Sequence, residues 1–550
     1  MLKWPVVVPC LVLVILAAPS VTFMLPACQD YMDEIYQPLQ ALKFFKSHGH
    51  AFHKYGPMPN FILAPGYALS LGWWKISGSL GHPTEDFPYG FKNPFFQMTV
   101  LIAQTRLVFL VLGVLCYGYL AHTLRLITRQ KWAAALAMLF CIATNFPLIH
   151  SLPTARPDSP MLAFSAAALA VYIQVIYRGL TLRRAIIAAL LIVAATSSKE
   201  LAATMFVLPL AGLALFPDGT NDSIRGKARF KLLAIAALFG ATFYALTNII
   251  YAPSTWLARM EYWIIGPGID PSIWKSGSGA VWGAAIKCLV NNLGPAGSVV
   301  VIVALLAALK GSRSRLLMLA LPLISVSLLG VGRIMYPADR FYTIIALALV
   351  PLVTLGLGKL LDDKVPAQVR GLSHATLVLG MFVNLWFGTF AWHMLGGQFH
   401  HMAEADVIAR VDRGSKVYLL NTFPLNEGSS RLEKLGYRQD CRPIQQILAE
   451  NKELPKRVYS MLGDILFLQH AHELPARAQM IKSESGFDVS RWRGLEPLGY
   501  RLSATLVPKT PPWFNLLNWM PAVKEWQQLN TVLVYERAEN ERRQVATMVP

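Results

Sequence analysis

The chain has 550 residues, 54% of them hydrophobic and only 15% charged, with a mean hydropathy of +0.43. That balance excludes a string of soluble domains and indicates a polytopic helical membrane protein. The net charge of +19 does not call for nucleic acid as a partner: no nucleic-acid-binding motif is present, and the basic residues gather in short loops between apolar runs, where membrane topology accounts for them.

The first apolar run, Pro5 to Met24, is about 20 residues long, enough to cross a bilayer. Leu25-Pro26-Ala27-Cys28 loosely resembles a lipoprotein cleavage site, but the run is longer than most signal h-regions, so an uncleaved anchor is expected. The stretch from Cys28 to Asn60 is crowded with ionisable groups: the acid pair Asp33 and Glu34, three histidines (His48, His50, His53), Lys54 and Tyr55-Gly56-Pro57. Ionisable residues so close to a membrane are costly unless they are used. The first outer segment is expected to cover residues 25–98. Its second apolar stretch, Pro57 to Lys75, is broken by Pro59, Pro65, Gly66 and Gly72. We expect it to lie in the interface, because counting it as a span would put Arg125, Arg129 and Lys131 outside and invert every later basic loop.

The remaining apolar runs then pair off around basic loops. Spans near 99–124 and 132–150 flank Arg125 to Lys131, and 160–177 and 185–198 flank Arg178, Arg183 and Arg184. A span near 201–216 leads to Arg225, Lys227, Arg229 and Lys231, and 230–252 leads out to a long loop, 253 to about 287, rich in Trp and Gly. Spans near 288–309 and 315–332 flank Lys310, Arg313 and Arg315; those near 341–358 and 372–394 flank Lys359, Lys364 and Arg370. The fold class expected is therefore α-helical and polytopic, with about eleven spans and basic loops inside.

The six cysteines make no disulfide framework. Cys10, Cys116, Cys141 and Cys288 sit in or beside apolar runs as small packing residues; Cys28 and Cys441 would both lie outside, where a bridge between them could form, though none is expected. From about 395 onward the chain changes character. Strand-like runs at Lys416–Leu420, Arg457–Met461 and Thr531–Tyr535 alternate with amphipathic stretches at Pro443–Glu450 and Asp464–His472. This reads as a small α/β domain, 395–550, outside the membrane and following a transmembrane catalytic domain, 1–394. Pro511-Pro512-Trp513 to Trp519 would suit the interface, and the domain's simplest use is as a cap, since it shows no nucleotide loop, metal cluster or nucleophile motif.

This topology puts Asp33, Glu34, Arg156 and Asp158 (in Thr154-Ala155-Arg156-Pro157-Asp158), Lys199-Glu200, and Arg333 to Arg340 at the outer ends of helices. Acids beside cations and Tyr336 at one depth suit transfer from an anionic lipid, because an acid can take the proton of an attacking hydroxyl and fixed cations can stabilise a departing phosphate. Each residue also has a plainer use. Asp33 can face a helix dipole; Glu34 can orient it. Arg156 and Asp158 can form a surface ion pair worth under about 1 kcal/mol. Lys199 and Glu200 can be solvated caps, and Arg333 and Arg340 can anchor headgroups. The three histidines have a spacing that suits no compact helical metal site.

An acid pair after the first helix with Tyr55-Gly56-Pro57 some twenty residues on, then Ala155-Arg156-Pro157-Asp158, Ser198-Lys199-Glu200 and Tyr336-Pro337 with Arg340, resembles the GT-C superfamily of polyprenyl-phosphate-sugar-dependent glycosyltransferases. That group includes the protein O-mannosyltransferases and the lipid A aminoarabinose transferase. The resemblance covers about residues 1–395; the chain departs from it where Ile334 and Met335 separate Arg333 from Tyr336. It implies inverting transfer from a polyprenyl-phosphate-linked sugar to a protein, lipid or polysaccharide hydroxyl at the outer face of a bacterial-type inner membrane, without a cofactor and as a rule without a divalent cation. It makes Asp33 the general base, Asp158 the residue that orients base or acceptor, and Tyr55 part of the sugar pocket. Lys199, Arg340 and Tyr336 would hold the donor phosphate, with Arg333, Arg156 and Lys54 nearby. Two rivals stand beside it: a transporter or flippase for a lipid-linked or anionic substrate, and a noncatalytic scaffold presenting the C-terminal domain.

Overall fold

A computed structural model of the chain describes residues 4–17, 21, 32–47, 55–82, 90–128, 131–144, 155–216, 226–264, 278–331, 342–362, 365–366, 368, 371, 375, 398–413, 416–420, 438–440, 457–461, 495, 499–507 and 531–537. The described helices are α1 (Trp4–Ala17), α2 (Met32–Ser47), α3 (Met58–Ile76), α4 (Pro94–Leu124), α5 (Lys131–Thr144), α6 (Asp158–Arg178), α7 (Leu182–Thr196) and α8 (Leu201–Leu215). They continue as α9 (Lys227–Tyr244) with a π-helical segment (Ala245–Ile250), α10 (Pro253–Ile264), α11 (Ser278–Ala308), α12 (Arg313–Leu329), α13 (Thr343–Leu360) and α14 (Gln398–Arg410). Four of these stretches are long and apolar enough to cross a membrane by themselves: Phe96–Leu124, Asp158–Arg178, Lys227–Ile250 and Thr343–Leu360. The protein is an integral membrane protein, predominantly helical.

The chain divides into two compact units. One comprises residues 1–22, 36–68 and 103–389. Within it α6 is buried over nearly its whole length, and its Ala-rich face lets α7 approach closely. The packing of α11 on α13 is equally tight: a Cβ at Gly356 would come within 1.9 Å of the Ala304 carbonyl oxygen. Around that contact Ala133, Ala137, Leu349, Val353 and Leu357 form a buried cluster.

The helices of this unit sort their charges by end. The Arg315 guanidinium lies 5.6 Å from the Tyr177 ring centroid, so α12 starts beside the end of α6. A Cβ at Gly358 would meet Thr128 Oγ1 at 2.4 Å, so α13 ends beside the basic loop that follows α4. At the opposite end, a Cβ at Gly330 would meet Thr204 Oγ1 at 2.8 Å, pairing the end of α12 with the start of α8. The helix ends carrying Arg125, Arg178, Arg183 and Arg315 therefore gather at one end, and Asp158, Lys199 and Glu200 at the other.

Two boundaries differ from the sequence expectation. The stretch 253–287, expected as a loop, holds α10 and the first turns of α11. Lys287, which reads as a boundary, is an exposed residue within α11, where its apolar stem can lie along the helix while the ammonium reaches out. The stretch expected to break at Pro59, Pro65, Gly66 and Gly72 is instead one continuous helix, α3. Pro59 sits in its first turn, where no intrahelical N–H is lost, and Gly66 makes room for the Gln104 side chain, which a Cβ would meet at 2.5 Å.

The second unit comprises residues 23–35, 69–102 and 390–550. Its centre is a five-stranded sheet of β1 (Lys416–Leu420), β2 (Arg438–Asp440), β3 (Arg457–Met461), β4 (Tyr500–Leu506) and β5 (Val532–Arg537), in the order β2-β1-β3-β5-β4. β1 pairs in parallel with β2 and β3; β5 pairs antiparallel with β3 and β4. Ala403 and Val407 of α14 pack with Tyr459, Val532 and Val534 as its core. β1, β3 and β5 lie where residue alternation puts strands; the stretches 443–450, 464–472 and 511–519 lie outside the described residues.

Candidate functional site

The turn between α7 and α8, Ser197-Ser198-Lys199-Glu200, is the hub of the ionic end. Thr181 caps the start of α7, and Ser198 closes its end by donating its hydroxyl to the Ala194 carbonyl at 2.9 Å. The chain then restarts as α8 at Leu201, so the two charged residues of the turn sit between helices that are otherwise apolar. Lys199 Nζ donates to Asp158 Oδ1 at 2.6 Å, and both side chains are 6% exposed. Asp158 occupies the first turn of α6, where the positive end of the helix dipole also favours an anion.

A second pair adjoins the first. Arg259 of α10, with a side chain 2% exposed, brings Nε to 2.8 Å from Glu200 Oε1. Its Nη2 donates to Asn248 Oδ1 at 2.7 Å and its Nη1 to the Tyr55 carbonyl oxygen at 3.2 Å. Asn248, in the π segment, donates its side-chain amide to Ser197 Oγ at 2.7 Å, a buried hydrogen bond. One guanidinium thus joins the Tyr55 segment ahead of α3, the π segment and the Lys199 turn. Both Glu200 carboxylate oxygens are shielded from solvent, although the side chain as a whole keeps 23% exposure on its carbons. Burial pushes the Glu200 carboxyl above its usual range; Arg259, a backbone hydrogen bond and Lys199 pull it partly back.

Tyr55-Gly56-Pro57 is docked onto the same turn. Met58 N donates to the Ser197 carbonyl oxygen at 3.1 Å, and a Cβ at Gly56 would fall 1.9 Å from that oxygen. Only glycine permits this approach. It leaves the Tyr55 ring with its centroid 5.7 Å from Lys199 Nζ, within cation–π reach. Behind it, Gln37 Nε2 donates to Asn60 Oδ1 at 2.7 Å, and Phe44 and Phe61 pack with Tyr251, fastening α2 and α3 to the end of the π segment.

Residues as far as 204 positions apart are therefore brought to one place: Tyr55, Asp158, Lys199 and Glu200 by direct contact or through Arg259, with Arg156, 7% exposed, just ahead of α6. The plainer readings of two of them do not hold. Asp158 and Arg156 are 4% and 7% exposed, so neither is a surface group, and Lys199 holds Asp158. Lys199 and Glu200 are not solvated caps, since the ammonium and both carboxylate oxygens are buried. Asp33 and Glu34 lie in the first turn of α2, and their side chains are outside the described residues. Lys54, Arg333, Tyr336, Arg340 and the histidines His48, His50 and His53 are also outside them, as are Cys28 and Cys441. Among the described residues no group of three metal-binding side chains converges.

Sequence reasoning missed Arg259, Asn248 and Ser197. Asn248 carried a signal, as a lone amide in the apolar run Phe243 to Ala252, where an unpaired polar group would be costly. Arg259 carried less, because an arginine among Trp256, Tyr262 and Trp263 reads as an interfacial anchor.

No protein-family model and no curated protein matches the chain by sequence. Solved structures of similar shape include ArnT from Cupriavidus metallidurans in the apo state, with a TM-score of 0.48, 12% identity, and 96% of this chain and 97% of that one covered. ArnT bound to undecaprenyl phosphate aligns with a TM-score of 0.46 at 9% identity, covering 98% of each chain. The oligosaccharyltransferase of Archaeoglobus fulgidus, complexed with Zn and sulfate, aligns with a TM-score of 0.47 at 12% identity, over 92% of this chain and 72% of that one.

Proposed function

We propose that this protein is a membrane glycosyltransferase that moves a sugar from a polyprenyl-phosphate carrier to an acceptor hydroxyl at the outer face, with inversion. The single observation that carries this reading is the buried Lys199–Asp158 pair with Tyr55 over it and Glu200–Arg259 beside it. An ammonium has three donors, so Lys199 can hold Asp158 and a donor phosphate oxygen together. The acceptor oxygen attacks the anomeric carbon and gives its proton to Asp33. The bond from that carbon to the phosphate oxygen breaks, and the carrier leaves as polyprenyl phosphate. Lys199 and Arg156, with Arg340, Tyr336, Arg333 and Lys54 from the outer segments, stabilise the charge that develops on it. Asp158 and Glu34 orient the reacting groups, and Tyr55 lines the sugar pocket. In this reading no resident metal is expected.

In this reading the chain has about eleven spans, sits in a bacterial-type inner membrane, and carries residues 395–550 outside the cytoplasm. Ionisable groups collected at helix ends support a surface reaction over transport, which uses polar groups near the bilayer midplane. Glycan and lipid profiling of a deletion strain would identify the acceptor and sugar. Membranes supplied with labelled carrier-linked sugar then test the roles. Asp33→Asn should abolish transfer at unchanged expression; full turnover by that variant would remove Asp33 as the base.

A further inference from the structure

We infer that the helical unit holds an anionic phospholipid in an apolar groove that opens at its basic end. The groove has a volume of about 460 Å³ and runs between α8 and α9 over a floor of α6 and α7. Its walls run from Leu180, Ala185 and Phe230 at the basic end as far as Val193 on α7 and Phe206 on α8, six and seven residues from Lys199. This inference is independent of the transferase reading.

The walls are apolar. Tyr172 is the one wall residue with a side-chain hydroxyl, and it is engaged elsewhere, donating to the Met318 carbonyl oxygen at 2.7 Å. A cavity of this lining gives water no partners and favours an apolar guest. Leu210 and Phe230 are 42% and 54% exposed on the two lips, so the groove opens sideways to the lipid. A hydrocarbon chain is the guest at hand.

The rim selects the headgroup. Arg183 at the start of α7 and Lys227 and Lys231 at the start of α9 are exposed around the Leu180, Ala185 and Phe230 end of the groove. Arg229 is buried there and donates Nε to the carbonyl of Leu213, a wall residue. Arg184 spends Nη1 on the Arg178 and Gly179 carbonyls at 2.9 and 2.7 Å, closing the end of α6. No acid lies on these helix ends among the described residues; the linking segment 217–225, with Asp218, Asp222 and Arg225, is outside them. Basic clusters where helices meet the cytoplasmic face bind anionic headgroups. By the charge rule this end faces the cytoplasm.

The test uses the full-length protein in nanodiscs of equimolar phosphatidylglycerol and phosphatidylcholine, delipidated stepwise in detergent, with retained lipid read by native mass spectrometry. Wild type should keep phosphatidylglycerol in preference to phosphatidylcholine by about tenfold. Ala237→Trp, which fills the groove from its lipid-facing side, should lose that retention. Lys227→Gln/Lys231→Gln changes only exposed residues, and should keep the same fold while retaining both lipids alike. Equal retention of the two lipids by wild type would overturn the inference, as would Ala237→Trp and the double variant both behaving as wild type. Stoichiometric displacement of phosphatidylglycerol by added undecaprenyl phosphate would overturn it too, assigning the groove to a prenyl tail.

Discussion

Both ends of the helical unit carry Arg and Lys residues near helix termini, and they differ in what the fold does with them. At one end Lys199 and Arg259 are buried and each faces a carboxylate, with distances of 2.6 and 2.8 Å. At the other, Arg183, Lys227 and Lys231 are exposed on helix ends that hold no acid among the described residues. Exposed cations set orientation in the bilayer and meet headgroups; each is worth little to the fold. Buried pairs are different, because removing one partner strands the other's charge, at a cost of about 3–5 kcal/mol. Position along the helix does not distinguish the two sets, but the presence of a carboxylate does.

The comparison is broken most directly by removing charges one end at a time. Lys199→Met should lower sugar transfer by about 100-fold or more, since it deletes a fixed cation at the departing phosphate. Arg183→Gln at the other end should leave transfer within about twofold, as expected of a surface change worth under about 0.5 kcal/mol. Transfer rates in membranes carrying matched amounts of each variant check both.

Arg259→Leu should destabilise the unit by about 3 kcal/mol, because Glu200 stays buried without its partner and Asn248 loses its donor. The double variant Arg259→Leu/Glu200→Leu should recover part of that loss. Thermal unfolding followed by tryptophan fluorescence measures the coupling, and additive losses would mean that the pair contributes nothing as a pair.

Gly56→Ala drives a methyl into the Ser197 carbonyl and should cost about 1–3 kcal/mol, as overpacking does, while also slowing transfer by moving Tyr55. Gly72→Ala meets nothing within 4 Å on α3 and should be neutral or stabilising by up to about 1 kcal/mol. Equal effects would mean that the docking of Tyr55-Gly56-Pro57 on the Lys199 turn is not specific.

The smallest expected effect is on pH dependence. The folded state holds the Glu200 proton more tightly than the unfolded chain does, because burial raises this carboxyl. Both states are protonated well below the ordinary value of 4.5, so stability falls as pH rises from 4.5 towards the raised folded value. Glu200→Gln, which keeps an acceptor for Arg259, should flatten that slope. An unchanged slope would assign it to another group.

How much of this was legible beforehand follows from what each signal depends on. Apolar run length and basic loops are local, so the spans around 99–124, 160–177 and 341–358 were placed within a few residues of α4, α6 and α13. Alternation is also local, and it located β1, β3 and β5; the three-residue β2 was too short to show a period, and the exposed stretch of β4 carried too little apolar contrast. In the site, Asp158, Lys199 and Tyr55 announced themselves as charged or aromatic residues in short turns. Their partners depended on which helices end side by side. Arg259 reaches Glu200 only because the chain, after a π segment, folds back as α10 over the Ser197 turn. The same absence of any local mark hid the groove, whose alanines and leucines look like those of any packed helix face.

The central claim is that Lys199, held by Asp158, receives the phosphate of a prenyl-linked donor. Undecaprenyl phosphate binding to the purified protein in phosphatidylcholine nanodiscs measures this without knowledge of the sugar or the acceptor. Wild type should bind, Lys199→Met should bind at least tenfold more weakly, and Lys310→Met at the opposite end should match wild type. Equal affinity for all three would contradict the assignment of this site.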